Sequence, residues 1–198
     1  MAYTISKLIF WPILSIFIKR IKGIENLPKG KFILACNHSS YADAVILMML
    51  VAWHRNKKLR FYATNDKRWR GWWWDYWFNH YGAIRINGSI EKGIKALKKD
   101  CVGIFPEGKM TTNGLVQGKG HTGVAVMALK TGLPIVTTGM NTFWWWNRYQ
   151  KLPSLKRNIR IIITQPKRYK LKCTKKNIEK VHNETMKNIR QNAREANA

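Results

Sequence analysis

A histidine and an aspartate stand five residues apart at His38 and Asp43, directly after a short apolar run that ends at Cys36. On a continuous helix this spacing separates two side chains by about 140°, so they meet only if the chain turns between them. Ser39 and Ser40 are residue types that favour helix N-caps and supply such a turn. A neutral imidazole backed by a carboxylate takes a proton from an alcohol. The pair therefore indicates a general base, although a buried histidine bonded to a helix-capping aspartate would leave the same pattern.

The second group of polar residues, Glu107-Gly108-Lys109, also follows an apolar run. Ligands of α/β folds bind where the carboxyl ends of the strands lie. Glu107 is one of only 10 acidic residues in the chain, and a loop carboxylate accepts a hydrogen bond from the hydroxyl of a polyol headgroup. Because proline and glycine are common in turns, a simple turn with a surface glutamate is the alternative interpretation.

A glycine-rich stretch at residues 118–123 matches the pattern G-x-G-x-x-G. That pattern predicts dinucleotide binding only after a strand and with an acidic residue about 20 positions later. No good strand precedes it, and no Asp or Glu lies between Glu107 and Glu179. The Walker A pattern fails too, because Val124 stands where it requires lysine. A cationic, glycine-rich loop that opens a helix still suits a phosphate, which makes Lys119 a candidate substrate contact.

Metal chemistry and covalent catalysis are not indicated. The five histidines are scattered, and none pairs with another histidine or a cysteine at metal-ligand spacing, so no metal site is predicted. Cys36 lies two residues before His38 and is a candidate nucleophile. It stands inside an apolar run, however, so plain burial is the favoured interpretation.

Strand-like and helix-like segments alternate along the chain, which predicts an α/β fold with a mostly parallel or mixed central sheet flanked by helices. Strands are expected at residues 32–36, 59–64, 83–86, 102–105, 134–138 and 159–164. Helices are expected at residues 44–53, 67–81, 90–97, 124–130 and 175–194. No repeat or linker interrupts residues 21–198, so we assign them to a single domain.

The N-terminal segment at residues 8–18 is apolar and has basic residues on both sides. It is shorter than the roughly 20 residues that span a bilayer, and no small-residue cleavage site of a signal peptide follows it. Residues 1–20 are therefore predicted to form a membrane-anchoring helix that lies in the interface, with Trp11 and the flanking cations as anchors. A helix packed on the core in the ordinary way is the alternative.

The charge balance is strongly basic, since 36 Lys and Arg stand against 10 Asp and Glu and give a formal net charge of +26. Such a surface needs an anionic partner, either nucleic acid or anionic lipid. Tryptophans occur in runs at residues 72–74 and 144–146. Tryptophan prefers the headgroup zone of a membrane, whereas single-strand binders place aromatic residues singly along a groove. An anionic membrane surface is the expected partner, and a nucleic-acid-binding module is a remote alternative.

Four ordered blocks resemble the glycerolipid acyltransferase family, which includes 1-acyl-sn-glycerol-3-phosphate acyltransferases. They are H-x-x-x-x-D at residues 38–43, G-x-I-x-I at 82–86, F-P-E-G at 105–108 and P-I-V at 134–136. The segment at 23–28 is similar to the family's lead-in to the first block. The resemblance covers about residues 20–166, and four blocks in order are much more specific than any one of them.

The resemblance implies direct transfer of a fatty acyl group to the hydroxyl of a lysophospholipid, without an acyl-enzyme. His38 would be the base and Asp43 would orient it, while Glu107 and Gly108 would help to hold the glycerol phosphate. Asn37, in the first block, is a further substrate-binding candidate. The expected acceptor is lysophosphatidate, the donor is acyl-CoA or acyl carrier protein, and no other cofactor is expected. The expected location is peripheral or monotopic, on the cytoplasmic face of a membrane.

Two positions depart from the family pattern. Gly88 and Met110 stand where members often carry an arginine that binds phosphate. Arg85, Lys109 and Lys119 are candidate replacements, although lysine binds phosphate as a point charge without the bidentate fork of arginine. The departures concern the acceptor more than the reaction, so a different lysophospholipid or a glycolipid is the alternative acceptor.

Overall fold

The computed structural model describes residues 3–63, 79–85 and 90–198. Its strands are β1 (Ile18–Lys22), β2 (Ile33–Cys36), β3 (Leu59–Ala63), β4 (Ile84–Arg85), β5 (Cys101–Ile104), β6 (Ile135–Met140) and β7 (Ile159–Ile163). Its α-helices are α1 (Thr4–Phe17), α2 (Asp43–Arg55), α3 (Ile90–Leu97), α4 (Gly123–Thr131) and α5 (Lys175–Asn197), with 3-10 turns at Ile24–Asn26 and Thr142–Trp144. The helix expected at 67–81 overlaps the described residues only at 79–81. Gly88 lies outside them.

The strands of the described residues form one sheet in the order β1-β7-β6-β2-β5-β3-β4. The five strands from β6 to β4 are parallel to one another, β7 is antiparallel to β6, and β1 is parallel to β7. The predicted α/β fold with a mixed sheet flanked by helices is confirmed. All four residues of β2 are buried, as expected of a central parallel strand whose two faces are both covered.

Helices cover both faces of the sheet and divide the core into two parts. Successive side chains of β2, and of Phe32 directly before it, point to opposite faces of the sheet, because the period of a strand is two residues. Phe32 and Leu34 belong to the cluster that contains residues of α1 and α2. Ile33 belongs to the cluster that contains residues of α3, α4 and α5. The site described below lies where the strands between these two layers end.

The N-terminal boundary differs from the predicted one at residue 20. The helix α1 ends at Phe17, and Ile18–Lys22 forms β1, which pairs with β7 and so belongs to the sheet. The apolar pattern does not predict a strand at β1, because three of the five residues in Ile-Lys-Arg-Ile-Lys are cationic. Lysine on an edge strand discourages pairing with other chains, and burial in β1 is limited to Ile18.

The helix α1 has one packed face and one exposed face. Trp11 is only 7% exposed, and its ring meets that of His54 on α2 edge-to-face at 5.5 Å. The prediction that Trp11 anchors the protein at an interface is therefore wrong, because its ring belongs to the core. The opposite face is apolar and more than half exposed at Ile5, Leu8, Ile9, Ile13 and Ile16. Within the described residues no helix is both long enough and apolar enough to cross a bilayer.

Candidate active site

Polar side chains meet at the edge of the sheet where three neighbouring parallel strands end. His38 follows β2, Glu107 follows β5 and Thr142 follows β6. Asn37 ties two of these ends together, because its Oδ1 accepts from the N–H of Met140 and its Nδ2 donates to the carbonyl of Met140, both at 2.8 Å. Asn37 is 2% exposed. Its side chain joins β2 to β6. Because this side chain is buried, the structure does not support its predicted contact with a substrate.

His38 and Asp43 form a hydrogen-bonded pair. The Nδ1 atom of His38 lies 3.0 Å from Oδ2 of Asp43. The same oxygen accepts hydrogen bonds from the backbone N–H groups of Ser39, at 2.7 Å, and Ser40, at 2.8 Å. The chain therefore turns between the two residues, as predicted, and Asp43 begins α2. The carboxylate is fully buried, so these donors replace the water that would otherwise solvate its charge.

The hydrogen-bond pattern decides which nitrogen of His38 is basic. A carboxylate accepts hydrogen bonds, so Nδ1 carries the hydrogen and Nε2 keeps its lone pair. The imidazole is 25% exposed, whereas Asp43 is completely buried. The pair thus keeps a proton acceptor on a partly exposed ring and buries the charge that would stabilise the imidazolium, which is the arrangement required of a general base.

The ring of His38 is also held by stacking. It lies on the ring of Phe105 with centroids 4.2 Å apart and planes 11° apart, and Phe105 stacks on Phe61 with centroids 4.8 Å apart. Gly103 leaves the space for Phe61, since a Cβ at Gly103 would lie 2.4 Å from that ring. The stack and the Asp43 carboxylate together restrict the imidazole to one orientation.

Thr142 completes the environment of the carboxylate. Its hydroxyl donates to Oδ1 of Asp43. Because that hydrogen is directed at the carboxylate, the hydroxyl of Ser39 donates to Thr142 at 2.8 Å. Sequence reasoning missed Thr142, although a polar residue just beyond a predicted strand was an available signal.

Replacing Thr142 by valine should lower kcat by about tenfold, with smaller changes in KM. Valine keeps the shape but removes a donor to a buried carboxylate, and a hydrogen bond to a charged group contributes about 1.5–3 kcal/mol. Thr142→Ser, which keeps the hydroxyl, is the matched control. Equal kcat values for the two variants and the unmodified protein would show that Thr142 does not support Asp43.

Glu107 links two loops from a nearly buried position. Its Oε1 accepts from the N–H of His38 at 2.9 Å, its Oε2 accepts from the N–H of Gln117 at 2.8 Å, and the residue is 8% exposed. Burial raises the pKa of Glu107 above its usual range, and the two N–H donors partly oppose that shift. Glu107 thus fastens the backbone of His38 to the glycine-rich segment, and its contact with a substrate hydroxyl stays a prediction.

The cations predicted to bind phosphate lie at different distances from the pair formed by His38 and Asp43. Lys109 and Lys119 are exposed on the loops that follow β5, at the same edge as His38. Arg85 lies on β4, which β3 and β5 separate from β2, so the structure does not bring it to His38. Gly108 has a φ of +71°, and a Cβ there would lie 2.7 Å from Nε2 of His121. Gly108 is therefore required by the turn itself.

Cys36 lies beneath the site and is completely buried. Burial raises the pKa of its thiol well above the usual range, and the carboxylates of Asp43 and Glu107 add to the shift. Because the thiolate is the nucleophilic form of cysteine, this thiol is unsuited to attack on a thioester. The interpretation of Cys36 as a core residue is supported by its position.

Replacing Cys36 by alanine is expected to leave kcat within about threefold of the unmodified protein, because the thiol takes no covalent role and only a small side chain is removed. The check is a steady-state assay beside a thermal unfolding curve. A loss of 100-fold or more in a variant that remains folded would instead assign Cys36 a place in the reaction.

The chain was compared with known families, curated proteins and solved structures. The sequence model of the family described as Acyltransferase matches residues 18–141. A similar solved structure is that of the 1-acyl-sn-glycerophosphate (LPA) acyltransferase PlsC from Thermotoga maritima, which is 18% identical, with a TM-score of 0.76 and coverage of 98% of this chain and 79% of that one. At this identity the likeness concerns the fold. No curated protein is significantly similar to the chain.

Proposed function

We propose, since the chain belongs to the acyltransferase family, that it moves a fatty acyl group from a thioester donor to the free hydroxyl of a lysophospholipid, with lysophosphatidate as the acceptor and phosphatidate as the product. The observation that carries this proposal is the pair formed by His38 and Asp43, which leaves Nε2 as a proton acceptor at the edge of the sheet. The resemblance inferred from the four sequence blocks agrees with the family match.

The proposed reaction is a direct transfer in which every proton is accounted for. Nε2 of His38 takes the proton of the acceptor hydroxyl while the oxygen attacks the carbonyl carbon of the thioester. The tetrahedral intermediate collapses, the carbon–sulfur bond breaks, and the leaving thiolate takes the proton back from the imidazolium. Asp43 holds the imidazole in the required tautomer and stabilises its positive charge in the intervening step.

The acceptor's phosphate is assigned to the loops that follow β5. Lys109 and Lys119 are exposed there, and lysine attracts phosphate as a point charge. Backbone N–H groups in a glycine-rich segment add donors of the kind that bind anions. The proposed donor is acyl-CoA or acyl carrier protein, and the test distinguishes the two.

A panel of acceptors and donors tests the substrate. The purified protein is given acyl-CoA or acyl carrier protein thioester with lysophosphatidate, a lysophospholipid that carries a larger headgroup, or a lysoglycolipid, and the released thiol is measured. The proposal predicts the highest kcat/KM for lysophosphatidate. A preference for acceptors without a phosphomonoester would favour the alternative acceptors that Gly88 and Met110 suggest.

We further propose that the protein is peripheral or monotopic on the cytoplasmic face of a membrane. The support is the exposed apolar face of α1 together with a second apolar surface formed by Trp144, Tyr149, Leu152 and Leu155, each at least 61% exposed. The rings of Phe17 and Trp145, 5.3 Å apart, connect the end of α1 with that second surface. Exposed apolar side chains of this kind enter the interface of a bilayer, and the net charge of +26 attracts anionic lipid.

Replacing Ile5 and Ile9 by aspartate should weaken binding to anionic phospholipid vesicles by at least about tenfold, because each isoleucine contributes roughly 1.5–3 kcal/mol when it leaves water. Cosedimentation with vesicles measures the effect. The control is Leu171→Asp, which adds one negative charge at an exposed position before α5 and is matched to Ile5→Asp and Ile9→Asp made singly. Equal vesicle binding by the single Ile5 and Ile9 variants and the control variant would rule out α1 as the membrane contact.

A further inference from the structure

The C-terminal helix α5 lies outside the family-matched span of 18–141 and yet contacts the glycine-rich loop, defined here as residues 117–122. Nη2 of Arg190 donates to the carbonyl of Gly118 at 2.7 Å. Nε2 of His182 lies 2.8 Å from the carbonyl of Lys119, and since a carbonyl only accepts, Nε2 carries the hydrogen. Two carbonyl groups of the loop are therefore held by one helix more than 60 residues further along the chain.

Three side chains of α5 face the loop from successive turns of the helix. His182, Met186 and Arg190 are spaced by four residues, which places them on one stripe of an α-helix. Between the two hydrogen bonds, Met186 packs under Gly120, where a Cβ would lie 2.9 Å from the methionine sulfur. Gly120 also has a φ of +76°, so the close approach and the backbone conformation both favour glycine.

The other side of the same loop is bonded to the catalytic pair. The N–H of Gln117 donates to Oε2 of Glu107 at 2.8 Å, and Oε1 of Glu107 accepts from the N–H of His38 at 2.9 Å. Next to these, the N–H of His121 donates to the carbonyl of Pro106 at 2.7 Å. A continuous path of hydrogen bonds and the backbone of Gln117 and Gly118 thus leads from Arg190 through the loop and Glu107 to the backbone of His38.

The attachment of α5 to the sheet does not depend on these contacts. Nδ2 of Asn192 donates to the carbonyl of Thr137 on β6 at 3.1 Å. The backbone of Asn192 also lies so close to Gly139 that a Cβ there would approach it to 2.2 Å. Val181 and Ile189 are completely buried on the same face of the helix. The contacts of His182 and Arg190 with the loop are therefore additional to those that fix the helix.

We infer that Arg190 and His182 are positioning residues, which hold the loop so that Lys119 and the loop N–H groups meet the acceptor's phosphate and Glu107 stays bonded to His38. This inference rests on the proposed function. Its expected signature is a change in the use of the acceptor: KM for the acceptor rises, while KM for the thioester donor changes little.

The test compares Arg190→Ala and His182→Ala with Lys187→Ala and Arg194→Ala, which remove exposed cations that line the same helix surface. We expect kcat/KM for lysophosphatidate to fall by about fivefold to tenfold in the first two variants and by less than twofold in the controls. His182→Gln, which keeps a donor for the carbonyl of Lys119, should recover most of the loss. Equal values in all four alanine variants would overturn the inference.

Amide hydrogen exchange of the loop separates failure of this inference from failure of the proposed function. The clamp predicts that exchange at Gln117 is faster in Arg190→Ala than in Arg194→Ala, whatever the acceptor, because the loop opens more often. Unchanged exchange at Gln117 would overturn the clamp even in an active enzyme. Faster exchange in a protein that acylates no lysophospholipid would support the clamp and refute the substrate.

Discussion

Replacing His38 by alanine should lower kcat/KM for acyl transfer to lysophosphatidate by about 10²–10⁴-fold, the range that a positioned general base contributes. Alanine removes the imidazole nitrogen that Asp43 orients to take the proton of the acceptor hydroxyl. The buried carboxylate of Asp43 keeps its bonds to the N–H groups of Ser39 and Ser40 and to the hydroxyl of Thr142. We therefore expect the variant to fold.

Two controls make the result of His38→Ala interpretable. Binding to anionic vesicles should be unchanged, because His38 is not one of the exposed apolar residues of α1 that are proposed to meet the bilayer. The thermal unfolding midpoint should fall by a few degrees at most, since the imidazole is partly exposed. Full transferase activity in a variant that passes both controls would refute the base assignment.

Replacing Asp43 by asparagine should lower kcat by about 10²–10⁴-fold with little change in the fold, because it removes charge while preserving shape. The amide oxygen can take the position of Oδ2 and accept from His38 and from the N–H groups of Ser39 and Ser40. The amide nitrogen then donates to the hydroxyl of Thr142 in place of accepting from it. The geometry survives, but the imidazolium that forms during proton transfer loses its counter-charge.

The comparison that isolates this charge is Asp43→Asn against Asp43→Ala. Alanine leaves the buried N–H groups of Ser39 and Ser40 without an acceptor, so it should reduce stability as well as kcat. Asparagine should reduce kcat with a nearly unchanged unfolding midpoint. If asparagine retains kcat within a few-fold, the carboxylate serves only to hold the turn at Ser39 and Ser40, which is a purely structural role.

Much of the site could be predicted from local sequence. The short apolar run of β2, the two serines and the start of α2 determine that His38 and Asp43 face each other, because the turn between them needs only residues 37–43. The F-P-E-G block likewise follows a strand that the apolar pattern reveals. These features depend on neighbours in the chain, which periodicity and turn chemistry describe well.

The features that sequence did not reveal depend on contacts between distant residues. Thr142 meets Asp43 across 99 positions, and Phe105 separates the rings of His38 and Phe61. The pairing of β6 with β2 produces the first contact, and no local pattern encodes the order of strands. Trp11 was misplaced for a related reason: the amphipathic pattern of α1 shows that the helix has two faces, but only the packing on α2 shows which one is buried.

Glu107 is a predicted substrate contact whose carboxylate also holds the backbone around the site. Sequence analysis assigns it to the substrate, whereas the structure shows both of its carboxylate oxygens bonded to backbone N–H groups. A carboxylate oxygen can accept a second hydrogen bond, so these backbone bonds do not contradict the predicted contact with a substrate hydroxyl. The fixed bonds mean that a change at Glu107 would also move the backbone of His38, which is why His38 and Asp43 give the clearer tests.

The measurement that tests direct transfer most directly is a rapid-quench experiment with one thioester donor, in the absence and presence of lysophosphatidate. We predict no burst of free thiol from donor alone, and equal amounts of thiol and phosphatidate once the acceptor is present. A stoichiometric burst of thiol without acceptor would reveal an acyl-enzyme and contradict direct transfer from the thioester to the acceptor hydroxyl.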